Sequence, residues 1–489
     1  MTTIEPGAAG GSAGRRRGGG LDLHLALGGG GSRQGRSLEA ALRDAVRSGR
    51  LPVGARLPGT RSLAADLGLS RGTVVHAYAQ LVAEGWLVGT QGSGTRVAET
   101  LQPPADETGR GQRPERPRPP ALDLRPGRPD LSSFPRGLWA AAVRRAFTSV
   151  PYDDLGQPDP GGLPGLRAAV ADYVARTRGV RADPGAVVIT AGFGGGLALL
   201  ARALHGQGVR AVATENPGLA RHRELLHAAG LETRGLPVTP SGADPGALTD
   251  AGALTGPVGA ALLTPAHQHP RGVVLAPGHR AAFVAWARRT DAYLVEDDYD
   301  GEFRYDREAV GALQALAPDR VVYAGTVSKA LVPGLRLGWL VLPAALRRPL
   351  LRAAEESGTA VGVTEQLAVA DLLRRGDYDR QVRRMRLLYR RRRAELAEAL
   401  PTRLDGVPAG LHALLPVGSV RQERELIARG REAGLLLHGL HSNGYWAAPA
   451  DGQPAALVLG FATPPAHAWR PALDALTGVL DWSGAATPR

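Results

Sequence analysis

Lys329 stands in the stretch TVSKALVPGLR, flanked by Thr326 and Ser328 and followed by Arg336, directly after the apolar run VVYAG. A lysine amine can condense with an aldehyde, while hydroxyls and a guanidinium suit a phosphate. In VEDDYDGEF, Asp297 closes a second apolar run and Tyr299 follows it closely. An anion there can keep a pyridine nitrogen protonated, and a phenol can hydrogen-bond a ring oxygen. In AGFGGG, Gly192, Phe193 and Gly194 separate the run AVVIT from the helix-like LALLARAL. A glycine turn opening a helix lets backbone N–H groups approach a phosphate. Each feature alone reads as an ordinary loop. Together they ask for one cofactor, pyridoxal 5'-phosphate (PLP), with Lys329 as the candidate catalytic residue. A dinucleotide site competes, because Glu215 lies about twenty residues beyond the glycines. Its spacing is wrong, G-x-G-x-G, and it leaves Lys329 and Asp297 without a task.

A second constellation lies near the other end of the chain. Ser70, Arg71, Gly72 and Thr73 would open a helix with a polar, basic first turn, the part of a recognition helix that meets DNA bases and phosphates. Arg61 precedes them, and Gly92, Ser93 and Gly94 form a glycine-rich tip next to Arg96. Residues 33–98 hold nine arginines, no lysine and four acidic residues, so this short segment carries +5 of the net charge of +13. Solvated arginines on a protein-binding module are the plainer alternative, but charge alone does not produce the polar first turn and the glycine tip.

The elements that must position these groups are legible from periodicity. Leu38, Ala41, Leu42, Ala45 and Val46 predict one amphipathic helix, and Arg61 to Leu67 a second. Ser70 is placed as the N-cap of a third, with Val74, Val75, Tyr78, Leu81 and Val82 on its inner face and Gly85 ending it. A hairpin follows, so residues 21–98 read as a winged helix-turn-helix. Residues 99–120 are rich in proline and charge and read as an extended linker; residues 1–20 read as a disordered basic tail. Beyond the linker, AVVIT, VRAVAT, VGAALLT, AYLVED, VVYAG and LGWLVL are apolar runs mostly separated by helical stretches. They predict a mostly parallel α/β sheet covered on both faces, spanning residues 121–482, with a smaller α+β lobe from about residue 370.

The chain has 489 residues, enough for two or three domains of roughly 100–200 each. It has no cysteine, which excludes disulfides, thiolate metal sites and thiol nucleophiles. The positive charge points to a polyanionic partner. No apolar run approaches the ~18 residues of a membrane helix. Arg15, Arg16 and Arg17 imitate an export signal, but Asp22 and His24 interrupt the apolar stretch behind them, so a cytoplasmic, nucleoid-associated protein is expected.

The stretch RLPVGARLPGTRSLAADLGLSRGTVVHAYAQLVAEGWLVGTQGSGTRV resembles the GntR-type winged helix nearly end to end. That resemblance implies double-stranded DNA contacts from Arg61, Ser70, Arg71, Thr73, Gly92, Ser93 and Gly94. The stretches TPAHQHPRG, VEDDYDGEFRY and YAGTVSKALVPGLRLGWLV resemble the fold-type I, class I/II aminotransferase domain over residues 121–480. The fusion resembles the MocR/GabR subfamily of PLP-binding transcriptional regulators. It implies Lys329 as the cofactor lysine, Asp297 at the pyridine nitrogen, Tyr299 at the ring hydroxyl, and Thr326, Ser328 and Arg336 around the phosphate with Gly192, Phe193 and Gly194. One of His267, Gln268 and His269 reaches the cofactor oxygen, and His269 is carried as the candidate. A metal site on His267 and His269 lacks a third ligand in the sequence, so none is expected.

The departures from the family matter. Leu219 stands where an aromatic usually stacks on the ring, and the glycine turn offers the phosphate backbone only. The stretch Leu457–Ala462 lacks the arginine that holds a substrate carboxylate in transaminases. The expected protein is therefore a homodimeric regulator whose operator binding responds to a small amine, amino acid or PLP, with at most weak transaminase activity. The alternatives are a working aminotransferase with an accessory DNA-binding module, and a DNA-binding dimer whose large domain has lost PLP.

Overall fold

The computed structural model describes residues 33–90, 94–98, 122–157, 159–248, 257–305, 310–400, 404–448 and 452–481. The expected tail, the linker 99–120, and Gly92 and Ser93 lie outside the described residues. The chain divides into two compact units, Met1–Arg118 and Pro119–Arg489.

The first unit packs α1 (Arg33–Arg47), α2 (Thr60–Leu67) and α3 (Arg71–Ala83) around a core of Leu38, Leu42, Leu63, Val74, Tyr78 and Leu81. A two-stranded antiparallel ribbon, β1 (Leu87–Thr90) and β2 (Gly94–Val97), closes it. The expected inner face of α3 needs correction. Val74, Tyr78 and Leu81 are buried, with Ala77 among them, but Val75 and Val82 are 45% and 40% exposed. They sit one position past Val74 and Leu81, about 100° further round the helix, and so face solvent. Gly85 adopts φ +77° and ends the helix as expected.

The second unit begins with a two-residue strand, β3 (Leu122–Asp123), and the helices α4 (Arg136–Ser149) and α5 (Pro164–Arg178). The large sheet is then built from β4 (Val187–Thr190), β5 (Ala211–Asn216), β6 (Glu232–Thr239), β7 (Gly242–Ala243), β8 (Ala260–Leu263), β9 (Tyr293–Asp297), β10 (Val321–Thr326) and β11 (Gly338–Val341). Their order is β4-β11-β10-β9-β8-β5-β6-β7, with β11 antiparallel to both neighbours and β7 antiparallel to β6. The remaining pairs are parallel, as the alternating pattern predicts. The strand β6 is absent from the sequence reading because ETRGLPVT is polar and contains proline; its burial pattern is correspondingly mixed.

Strand residues alternate between two buried faces. Val188, Val322 and Leu340 pack against α6 (Gly192–Gly206), beside which α7 (Ala220–Ala228) lies, and against α9 (Ala344–Ser357). Ile189, Tyr323 and Trp339 pack on the opposite side with α5 and α10 (Val363–Arg374). Across the sheet α8 (Pro277–Thr290) adds Phe283 and Trp286 to Leu263 and Leu294. Each such aliphatic side chain contributes roughly 1.5–3 kcal/mol on burial. Gly325 is required by packing, since a Cβ there would come within 2.4 Å of the Trp339 indole.

The long helix α11 (Asp377–Ala399) leads into the small lobe: β12 (Ala413–Val417), α12 (Val420–Glu432), β13 (Leu435–Leu436), β14 (His438–Gly439), β15 (Ala455–Leu459) and α13 (Trp469–Asp481). The antiparallel order is β12-β15-β14, while β13 pairs in parallel with β3. The segment after β3 therefore belongs structurally to this lobe. Arg392 on α11 and Asp130 fix it further through a fully buried ion pair of 3.0 Å. Among the described residues, no helix is long and apolar enough to cross a membrane.

Candidate cofactor pocket and nucleic-acid interface

The carboxyl ends of the parallel strands open into one cavity of about 690 Å³. Its lining includes Gly192, Phe193, Gly194, His269, Asp297, Tyr299, Thr326, Ser328, Lys329 and Arg336, so the structure brings every pocket candidate from the sequence together. Gly192 adopts φ +70° at the start of α6, where the preceding Ala191 provides no side-chain cap. The first N–H groups of that helix are free to meet an anion. Arg336, itself at φ +48°, places its guanidinium about 4 Å from where a Gly192 side chain would begin. Thr326 Oγ1 and Ser328 Oγ lie 2.8 Å apart, and Thr326 Oγ1 also donates to the Leu337 carbonyl at 3.1 Å. An uncapped helix start with hydroxyls and a guanidinium beside it has the donor chemistry that suits a phosphate.

Asp297 ends β9 and is 4% exposed. Burial, only partly offset by the nearby Lys329, holds its carboxyl well above the usual carboxylate range. Its nearest basic neighbour is His222 Nε2 at 3.9 Å. Burial pushes that imidazole down to about 4, so His222 is neutral near pH 7. A buried acid lacking a close cationic partner suits a protonated ring nitrogen. The loop beyond Asp297 is anchored by Asp298, which pairs with Arg178 at 2.6 Å and accepts from Tyr323 at 2.7 Å.

Lys329 donates through Nζ to the Gly127 carbonyl at 2.5 Å and stands 6.0 Å from the centre of the Tyr299 ring. Burial lowers its ammonium below the ordinary lysine range, against the pull of Asp300 and Asp297. A lower value enlarges the neutral fraction that can act as a nucleophile. Lys329 is also the only lysine in the chain, the remaining 58 of the 59 Lys+Arg positions being arginine. A guanidinium cannot replace an amine in condensing with an aldehyde. That count was the clearest signal the motif reading passed over.

The three candidates of TPAHQHPRG separate by contact. His269 lines the pocket, its ring 6.0 Å from Tyr299 and 5.4 Å from Tyr445. Gln268 turns away to Glu215 and the Pro217 carbonyl. His267 hydrogen-bonds Asp300 at 2.8 Å, and Tyr299 donates to the His267 carbonyl at 3.0 Å. His267, Asp300 and His412 also form a buried trio whose possible ligand atoms lie within 4.8 Å of one another, so His269 is not the partner of His267 in any such group. The Gly410 backbone packs into the gap, where a Cβ would lie 2.3 Å from both His267 and Asp300. Of the three, His267 and Asp300 are bonded to each other and His267 supports Tyr299, while His412 donates to the Pro270 carbonyl at 3.2 Å. Glu215, the residue of the dinucleotide reading, is likewise engaged: Thr264 donates to it from both hydroxyl and backbone, at 2.5 and 3.2 Å.

Sequence reasoning missed His222, Leu131, His438, Tyr445, Gly127 and Arg128, which the fold brings into the lining from distant segments. Leu219 lines the pocket as well, where it can offer only apolar packing. The stretch lacking the carboxylate arginine is core, with Leu457, Val458 and Leu459 fully buried.

In the first unit, Ser70 caps α3 by accepting from Thr73 N at 3.1 Å, and the two hydroxyls lie 2.8 Å apart. Arg61 and Arg71 are exposed. Gly94 adopts φ +90° with the Arg56 guanidinium beside it, and Arg96 donates to the Gly54 carbonyl at 3.0 Å. Arg56 thus joins the wing, although it precedes α2 in sequence. Polar first turn, exposed arginines and wing together form a cationic face of the kind that grips duplex DNA.

Fold and pocket define a winged helix joined to an aminotransferase-like unit. Two family models match in that order: "Bacterial regulatory proteins, gntR family" over residues 34–97 and "Aminotransferase class I and II" over residues 140–430. The HTH-type pyridoxine biosynthesis transcriptional regulator PdxR of Corynebacterium glutamicum is 36% identical, covering 87% of this chain and 91% of its own. The probable rhizopine catabolism regulatory protein MocR of Rhizobium meliloti is 32% identical, over 87% and 90%. An archaeal alanine:glyoxylate aminotransferase shares the fold with a TM-score of 0.66 at 23% identity, over 74% and 91%. This chain belongs to the MocR/GabR subfamily of GntR-type transcriptional regulators.

Proposed function

We propose that this regulator carries PLP on Lys329 and that a small molecule acting at the loaded pocket, whether an amine, an amino acid or PLP itself, changes how the winged helix engages operator DNA. The carrying observation is the convergence of the only lysine, a buried acid, a guanidinium without a partner among the described residues and an uncapped helix start on one cavity. The cofactor supplies an electron-withdrawing ring with an amine-reactive aldehyde. Asp297 would hold the ring nitrogen, with His222 keeping the carboxyl oriented. The start of α6, Thr326, Ser328 and Arg336 would hold the phosphate. His269 and Tyr299 border the ring-oxygen side, and Leu219 excludes water from one face.

Two such chains would associate and set their winged helices on paired half-sites, each through Arg61, Ser70, Arg71, Thr73 and the wing. Exposed Phe147, Tyr152 and Leu155 offer apolar surface for such an association. Efficient transamination is not expected, because Leu457–Ala462 supplies no arginine to orient a carboxylate. The relative named for pyridoxine biosynthesis makes PLP supply a reasonable target of control.

The test is reconstitution of the full chain with PLP, followed by titration of DNA from beside its own gene. A visible absorption band and an operator affinity that changes on adding PLP or an amine are expected. Absence of the band would leave only the DNA-binding half of the reading.

A further inference from the structure

Arg128 is the one arginine besides Arg336 that lines the pocket among the described residues. It lies on the strap from Asp123 to Leu131, distant in sequence from the stretch Leu457–Ala462 where the family keeps its carboxylate arginine, but bonded to it in the fold through Gly460. The strap is held to the small lobe at four points. Leu124 N donates to Leu436 O at 3.0 Å, Gly460 N to Leu124 O at 2.6 Å, and Thr463 Oγ1 to the carbonyls of Arg125 at 2.6 Å and Arg128 at 3.1 Å. The Arg128 backbone is therefore fixed while its side chain remains half exposed. Its acidic neighbour Asp123 stands 3.7 Å away and is already bound by two nitrogens of Arg125 at 2.8 and 2.9 Å. The Arg128 guanidinium keeps donors for another anion.

The residue before it completes the case. The Gly127 carbonyl accepts from the Lys329 ammonium at 2.5 Å. Once Lys329 carries the cofactor, its nitrogen is no longer a free ammonium, and this carbonyl can accept from another one. An ammonium acceptor and a guanidinium on adjacent residues that both line the pocket make a bipolar pair.

We propose that Gly127 and Arg128 recognise the effector as a small zwitterion, with the carbonyl taking its ammonium and Arg128 its acid group. Arg128 is then the specificity-determining residue of the site, replacing the absent strand arginine. Because the strap leads directly back into the linker toward the winged helix, the ligand is read by the segment nearest the DNA-binding unit in sequence.

This inference rests on the PLP reading, and one experiment separates the two. The full chain reconstituted with PLP is titrated by calorimetry with 3-aminopropanoate, glycine and their neutral amides. The acids should bind on the order of tenfold or more tightly than the amides, as expected for one charge-assisted bond. Arg128→Gln should bring that ratio close to one, and Arg128→Lys should leave it in between. Equal affinities in the natural protein, no binding by any of the four, or a ratio that survives Arg128→Gln would overturn the proposal while leaving PLP binding intact. Failure to take up PLP at all, seen beforehand by absorbance, would instead remove the reading beneath it.

Discussion

The two units each present a helix start to an anion, and they do so in opposite ways. At α3 the first turn is closed on itself, with Ser70 capping Thr73 N and Arg71 projecting into solvent. At α6 the start has no side-chain cap, and glycines expose the backbone to the pocket. A capped end is complete without ligand and recognises through side chains, which suits a long, variable duplex. An uncapped end is left incomplete until a small anion supplies the missing partner. The difference separates a rigid reader from a site whose state depends on occupancy.

Breaking the open end should give the larger effect. On the proposed PLP reading, Arg336→Gln would remove a charge-assisted phosphate contact worth roughly 1.5–3 kcal/mol, so PLP should be released about 10- to 100-fold more readily in equilibrium dialysis. At the closed end, Arg71→Ala should weaken operator binding by about 1–2 kcal/mol and lower the salt slope by about one, measured by fluorescence anisotropy over a salt series, while the cofactor absorbance stays. Unchanged operator affinity would remove α3 from the interface.

The units also differ in how they treat an acid, exposed at Glu84 and buried at Glu215. In the winged helix Glu84 is held down to about 2, with Arg43 as the leading cause. In the larger unit burial raises Glu215 to about 7. A carboxyl raised in the folded state binds its proton more tightly there, so its stabilising contribution is complete below about 4.5 and is lost as pH rises toward 7. The stability of Glu215→Gln relative to the natural protein should therefore improve by up to about 1.4 kcal/mol per pH unit across that window in denaturant melts. A flat difference would mean that the carboxyl is ionised throughout. The smallest effect is Ser70→Ala, which should cost the winged helix about 1 kcal/mol by thermal unfolding, as loss of an N-cap does.

The floor of the pocket was legible in the sequence because its groups lie in short stretches at the ends of apolar runs. Asp297, Thr326, Ser328, Lys329, Arg336 and the glycine turn needed only the rule that α/β sheets bind ligands at strand carboxyl ends. The roof was not legible. Gly127, Arg128, His438 and Tyr445 arrive from segments joined by contacts such as the pairing of β3 with β13, between two-residue strands that no periodicity announces. His222 was hidden in the polar start of α7, and Arg56 joins the wing only through the fold. Val75 and Val82 show the converse error, since hydrophobic identity was read as burial although the helical angle turns both outward. The lone lysine shows that residue choice can speak as clearly as spacing.

The central claim is an amine at position 329 that holds a pyridoxal group inside a DNA-binding chain. Reduction of the PLP-loaded protein with borohydride, followed by digestion and mass spectrometry, tests it most directly. The account predicts one phosphopyridoxyl adduct on the peptide containing Lys329 and none in Lys329→Ala. Since the chain holds no second lysine, an adduct confined to the terminal amine, or no adduct at all, would contradict it.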